Sequence, residues 1–444
     1  MREQNSLIEA SIDDPIVISG FAVEAPGGVR TPSEYWAALS EARELIGPIP
    51  RDRGWPVDDM LSLSRLDGWA DACDAGGFLD DPGAFDPVFF NISQREATVT
   101  SPQIRLAMRV AWKALENTGI NAAEVDGEEA GCFVGAYPTE YGPVGGQADE
   151  YSGYRTVGRI TEGIAGRVSH SLGFAGPCAT VNTGCASSLT ALHLAASAVR
   201  SGECDWALAG GVCVMGSPAI IYDFARQNEL AVDGHCRVYA DDSSGTLWGE
   251  GAGFVVVEPE SRARRLGHRV FGRILASHYN HNGKGKPILT PRFEAQQKLI
   301  RRVIDRAGVD AADVGMIEGH GTATRAGDKA ELTALFNTYG AAGSTAFVGS
   351  AKSNLGHSQA AGGMLGLIKV LLAGWHGHVP ASLFTENPTT AVDWESSGLR
   401  LATKLHPWEP KDGQRYGAVS SYGADGVNAH TIIGMPVREE HDDF

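Results

Sequence analysis

The chain has 444 residues, 37 Lys and Arg against 54 Asp and Glu, a formal net charge of −17, and 56 glycines where roughly 31 is usual for this length. The glycines have no three-residue period and only 21 prolines accompany them, which excludes collagen, and 43% hydrophobic residues spread along the chain exclude disorder. An acidic chain without a dense Lys/Arg run is not a nonspecific nucleic-acid binder, because such binding needs clustered cations to displace phosphate counterions.

The elements follow in chain order. Residues 1–14 are polar and lack the apolar core of a signal peptide. Short apolar runs at 16–23, 132–136, 206–213, 253–258, 315–318, 346–349 and 418–420 predict buried strands, with helical patterns between several of them. That alternation predicts α/β layers. Ser101-Pro102 predicts a helix start, a hydroxyl N-cap with proline at the first helical position. That helix runs to about Asn117, with Ile104, Met108, Ala111 and Leu115 on one face and Gly119 as the stop. Residues 137–161, rich in glycine and tyrosine, predict a surface loop.

Two further helices, 185–200 and 358–375, are small or apolar on nearly every face and therefore predict burial. Each begins at a reactive residue type, Cys185 in one and His357 just before the other, which points to a duplicated architecture. Arg262, Arg264, Arg265 and His268 predict a solvated helix face. Cys73, Cys132, Cys178, Cys185, Cys204, Cys213 and Cys236 show no C-x-x-C spacing; Cys132, Cys178, Cys185 and Cys213 lie among apolar or small residues and predict buried, reduced thiols. The most apolar stretch, 364–375, carries Lys369 and is too short to span a bilayer. The expectation is a cytoplasmic protein without membrane or nucleic-acid partners.

Three residues carry chemistry. Cys185 sits in Asn182-Thr-Gly-Cys-Ala-Ser-Ser188, between an extended run and a buried helix. A free thiol of pKa ~8.5 is only a few per cent thiolate at neutral pH, and a helix N-terminus adds ~0.3–1 kcal/mol toward the anion. That is less than one pKa unit, so a further partner is needed. His320 lies in Glu318-Gly-His-Gly-Thr-Ala-Thr324 after a strand, flanked by glycines that allow close approach. His357 lies in Lys352-Ser-Asn-Leu-Gly-His357, again between strand and helix, where a helix N-terminus disfavours imidazolium. Taken singly, each is equally compatible with a packing role. His278 with His281 and His376 with His378 lack a carboxylate or thiol at ligand spacing, so no metal is expected. Walker-A, dinucleotide-fingerprint and G-x-S-x-G patterns do not occur.

Taken together these segments resemble the β-ketoacyl synthase family, specifically ketosynthase domains of modular type I polyketide synthases. Asp52-Arg-Gly-Trp55, Gly76-Gly-Phe-Leu-Asp80, Phe85-Asp-Pro87, Trp248-Gly-Glu-Gly251 and Asn428-Ala-His430 match, as do the order and contexts of Cys185, His320 and His357. The resemblance implies an α/β thiolase-like fold of two similar fused halves in five α/β/α/β/α layers, as a homodimer. It divides the chain into a polar tail (1–14), a half carrying the cysteine (15–260), a half carrying both histidines (261–436) and an acidic tail (437–444).

By resemblance, Cys185 takes an acyl group as a thioester from the phosphopantetheine of an acyl or peptidyl carrier protein, with no bound cofactor. His320 and His357 sit over an incoming thioester carbonyl. Lys352 and Glu331 match an ion pair that organises the histidines, and Thr322 and Thr324 hold the pantetheine arm. The amides of Cys185 and Ala424 match an oxyanion hole, and Tyr422 and Asp425 line the substrate side. Several positions depart from the family pattern. D-T-A-C becomes Asn182-Thr-Gly-Cys185, H-G-T-G-T becomes His320-Gly-Thr-Ala-Thr324, and the bulky gate becomes Ala424 with Asp425 and Val427 beside it. Ala424 is expected to widen the acyl pocket. The chain ends at Phe444 without acyltransferase, reductase or carrier regions, which reads as a free-standing, trans-acting ketosynthase.

The leading expectation is decarboxylative Claisen condensation. The alternative is intramolecular aldol closure and lactonising release of a tethered chain, as in stand-alone relatives associated with γ-lactam-β-lactone products. A noncatalytic chain-length-factor-like partner would lack the cysteine.

Overall fold

A computed structural model describes residues 14–66, 73–122, 124–142, 153–154, 158–161 and 163–438. Most of the expected loop 137–161, nearly all of the polar tail and most of the acidic tail lie outside the described residues. The first half holds β1 (Ile16–Glu24), β2 (Ala130–Ala136), β3 (Cys178–Val181), β4 (Trp206–Cys213) and β5 (Gly251–Pro259). The second holds β6 (Gly272–His281), β7 (Val314–Glu318), β8 (Phe347–Gly349), β9 (His378–Val379), β10 (Arg400–Leu401), β11 (His406–Pro407), β12 (Gln414–Tyr422) and β13 (Val427–Pro436).

The fold is a duplication, and the strand order shows it. The order β3-β2-β4-β5-β1 continues into β6-β13-β12-β7-β8-β10, while β9 and β11 pair separately. Replacing β1, β2, β3, β4 and β5 by β6, β7, β8, β12 and β13 reproduces the same neighbours. In both halves the three strands at one end are parallel and the other two pairings antiparallel. Among the described residues, the sheets of the two halves pair edge to edge at Val17–Arg273 and Ile18–Gly272.

Helices fill the layers. Pro102–Thr118 and Gly163–Leu172 cover the outer face of the first half, and Phe293–Ala307 and Arg325–Leu335 cover that of the second. Ser187–Ser201 and Gly362–His376 lie between the two sheets, each touching strands of both. Strands covered on both faces have no polar face to show, and β1, β2 and β4 are buried at every residue. The central helix Gly362–His376 is buried from Gly362 through Trp375. Its one cation, Lys369, is neutralised by Glu318 of β7 at 2.7 Å.

The expected helix after Ser101-Pro102 is Pro102–Thr118; Ser101 Oγ accepts from the Ile104 amide and Gly119 closes the helix at φ +87°. The expected central helices begin later than their reactive residues. Cys185 stands two residues before Ser187, because Gly184 turns the chain at φ +58° and Ser187 Oγ is engaged by the Thr183 amide. A 3₁₀ turn, Gln359–Ala361, separates His357 from the helix starting at Gly362.

Two further expectations are corrected. Cys178 is exposed, since β3 is the edge strand of the first sheet. Arg262 and His268 are not a solvated face: Arg262 pairs with the buried Glu258 at 2.5 Å, and His268 Nδ1 hydrogen-bonds the same carboxylate at 2.7 Å.

Glycine at 135 lets the central helix dock. A Cβ there would lie 2.5 Å from the backbone of Ser187 and Ser188. Gly135→Ala is expected to lower stability by about 1–3 kcal/mol, as overpacking against fixed backbone does, measured by chemical denaturation.

Candidate active site

The site forms where parallel strands of both halves end. Tyr137 follows β2, Cys185 follows β3, His320 follows β7, and Lys352 and His357 follow β8, while Tyr422 ends β12. Crevices at the carboxyl ends of strands are where α/β sheets bind ligands.

Cys185 is buried, and its backbone carbonyl accepts from Ser421 Oγ at 2.6 Å. His357 Nε2 lies 3.1 Å from Cys185 Sγ. The Gln359 amide donates to His357 Nδ1 at 3.1 Å, which leaves the proton of the neutral ring on Nε2, pointing at sulfur. The ring stacks on Trp248 at 5.2 Å between centroids. His320 meets His357 edge-on at 5.3 Å and Tyr422 at 5.5 Å, and among the described residues its buried Nδ1 has no hydrogen-bond partner.

Burial sets the charge state. It pushes both imidazoles well below their ordinary range, with the Lys352 ammonium adding to the shift, and His357 adding further at His320. For His357 the cause is therefore burial and Lys352 rather than the α-helix N-terminus, which stands five residues away. Burial also pushes the Cys185 thiol up. Tyr137, Lys352 and the Ala424 amide pull it back down, while Asp425 adds to the rise.

Glu331 is the organiser of the His320 loop. Its Oε1 accepts from the His320 amide (2.6 Å), and its Oε2 from the Gly321 amide (2.8 Å) and Tyr239 Oη (2.8 Å). Lys352 and Glu331 interact through space, but among the described residues they form no direct ion pair; the buried pair is Lys369–Glu318. Asp328, held by the Tyr239 and Thr322 amides, is pushed up to about 7 by burial. Thr322 and Thr324 place their hydroxyls 3.0 Å apart on the cavity wall. Ala323 between them adopts φ +61°, a left-handed backbone that glycine would take without strain.

The cavity, about 280 Å³, holds Cys185, His320, His357, Thr322, Thr324, Tyr422 and Ala424, with Ile288 and Leu289 exposed at its wall. Ala424 and Asp425 are exposed, and the Asp425 carboxylate occupies the space that a Cβ on Gly184 would need. Among the described residues, Cys185, His320 and His357 also make the one cluster of three donors close enough to share an ion. The structure brings the expected Cys185, His320 and His357 together, and it adds Tyr137, Tyr239, Asp328 and Ser421, which were not among the expected site residues. Tyr137 had a readable signal, its place directly after an apolar strand.

Two fused halves, with a buried thiol from one and two neutral imidazoles from the other, define a thiolase-like protein built around a cysteine. The sequence families agree. Beta-ketoacyl synthase, N-terminal domain, matches residues 13–263, and Beta-ketoacyl synthase, C-terminal domain, matches residues 271–386. The chain belongs to the β-ketoacyl synthase family. It is 41% identical over 440 residues to polyketide synthase GfsA of Streptomyces halstedii, covering 98% of this chain and 6% of that protein. It is 41% identical over 441 residues to the pikromycin polyketide synthase component PikAII of Streptomyces venezuelae, covering 98% and 12%. An oxazolomycin ketosynthase domain, OzmH KS7, of Streptomyces albus JA3453 superposes with a TM-score of 0.88 at 34% identity, over 97% of this chain and 77% of that one. The module 6 ketosynthase of the bacillaene synthase of Bacillus subtilis 168 gives 0.87 at 33%, over 96% and 73%. The chain thus spans 6% of GfsA and 12% of PikAII.

Two outcomes follow from the electrostatics. Asp425→Asn removes a negative charge that raises the Cys185 pKa, so Cys185 is expected to alkylate faster at neutral pH, read by peptide mass spectrometry. Lys352→Met removes the cation that depresses both histidines, so the acid limb of a pH–rate profile is expected to move to higher pH.

Proposed function

We propose that the protein is a ketosynthase that forms a carbon–carbon bond on a carrier-bound acyl chain by decarboxylative Claisen condensation, with Cys185 as nucleophile. The observation that carries this reading is the Cys185 sulfur lying 3.1 Å from the Nε2 of a neutral His357, with His320 edge-on beside it.

Cys185 attacks the thioester of an acyl-phosphopantetheine, and the carrier thiol leaves. Once sulfur is acylated it is a poor acceptor, which frees the His357 Nε2–H for the carbonyl oxygen of a malonyl-type extender. His320 supplies a second neutral contact to that oxygen. Loss of CO₂ places the electron pair on an enolate that these two rings stabilise. The enolate carbon then attacks the Cys185 thioester, whose oxyanion is received by the amides of Cys185 and Ala424. Such donors are worth ~2.7–4 kcal/mol. Thr322 and Thr324 hold the pantetheine arm, Tyr422 and Asp425 border the acyl chain, and Lys352 keeps both histidines neutral. Glu331 is a positioning residue that holds the His320 loop. No bound cofactor or metal is needed, and the partner is an acyl or peptidyl carrier protein.

A second reading, intramolecular closure with lactonising release, has one observation in its favour. Ala424 lines the cavity, and Asp425 brings a carboxylate within electrostatic reach of Cys185, beside the chain a closure reaction would fold.

The test supplies acyl and malonyl groups on a carrier given as a separate protein, which also reads action in trans. Cys185→Ala is expected to lose the acyl adduct, and His320→Ala to keep it while condensation falls by ~10²–10³, the cost of one lost donor to a developing oxyanion. CO₂ release matched to an extended product supports condensation. Cyclised product formed without malonyl extender transfers the assignment to the second reading.

A further inference from the structure

We propose that Tyr137 is a fourth catalytic residue, a phenol that donates to the Cys185 sulfur and stabilises it as a leaving thiolate. The proposal rests on the ketosynthase reading for the step it serves, and on geometry for the contact itself.

The duplication places it. Since β2 corresponds to β7 and β3 to β8, the strand ends that carry His320 and His357 in the second half carry Tyr137 and Cys185 in the first. All four side chains meet in one cavity. Tyr137 Oη stands 3.2 Å from Cys185 Sγ, a second partner beside the His357 Nε2 at 3.1 Å. Burial and the neighbouring cysteine hold the phenol well above its ordinary range, so it stays protonated and acts as a donor.

The reaction separates the two donors in time. During condensation the His357 Nε2–H is taken by the extender oxygen. When the tetrahedral intermediate collapses, the carbonyl re-forms, the carbon–sulfur bond breaks and its electron pair passes to Cys185. At that moment Tyr137 is the side-chain donor left on sulfur. Tyr137 keeps its own proton throughout, and the thiolate it holds takes up one proton from solvent to restore the thiol, the proton that loss of CO₂ from the extender consumes. In the acylation step the same hydrogen bond holds the attacking thiolate.

Tyr137→Phe keeps the ring and Tyr137→Met keeps apolar bulk; both lack the donor. Cys185 alkylation by iodoacetamide is followed across pH by peptide mass spectrometry, with far-UV circular dichroism as the folding control. A rise of about one pKa unit is expected in both variants, which is ~10-fold slower alkylation at any pH below that pKa. Product formation from enzyme acylated beforehand is expected to slow ~10-fold, while acylation of the separate carrier is unchanged. An unshifted alkylation profile in either folded variant overturns the proposal. If the profile shifts while the wild type forms no extended product, the Tyr137–Cys185 contact stands and the ketosynthase reading falls. If the wild type condenses and the profile does not shift, the Tyr137 proposal falls alone.

Discussion

The separation between a sulfur from one half and an imidazole nitrogen from the other governs this molecule. Cys185 precedes the central helix Ser187–Ser201 and His357 precedes Gly362–His376, so the distance between them is set by how closely two buried helices approach. Small residues make that approach possible. A Cβ on Gly363 would come within 2.8 Å of Leu189, and one on Gly211 within 2.5 Å of Ser188. Interiors packed to crystal-like density do not stretch gradually, so the reacting atoms inherit the precision of the core.

The same burial that fixes the distance decides the charges. Neutral imidazoles suit the site, since they donate to a developing enolate without first losing a proton to solvent. The thiol suffers from burial and is helped by Tyr137, Lys352 and the Ala424 amide rather than by the helix dipole alone, which is small. Two of the departures from the family pattern, Gly184 and Asp425, meet in space. Ala424 lines the cavity, and beside it the Asp425 carboxylate fills the volume a side chain at 184 would claim. A change at one of these positions is legible only beside the other two.

Much of this was readable along the chain. The apolar runs at β1, β2 and β4 announce strands covered on both faces, and Ser101, Pro102 and Gly119 bracket a helix by local chemistry alone. β6 was missed because Arg273, Ser277 and His278 interrupt its apolar residues, and β3 because four residues carry no period. The expected Lys352–Glu331 pair failed for a physical reason. Both Glu331 oxygens are committed to the amides of His320 and Gly321 and to Tyr239, a set assembled from three separate segments.

The sequence by itself determined the layers, the two all-apolar helices and the two reactive residues, Cys185 and His357, just before them, because periodicity, capping and glycine placement act over a few neighbours. Part of the glycine excess marks those same starts and the loops around them. The tertiary structure alone decided that Tyr137 reaches the sulfur, that Cys178 lies on an exposed edge, and that Lys369 rather than Lys352 forms the buried ion pair. The Tyr137–Cys185 contact and the Lys369–Glu318 pair each join residues about fifty positions apart within one half, and the exposure of Cys178 follows from the place of β3 at the sheet edge, so each needs the assembled sheet and its helices rather than local sequence.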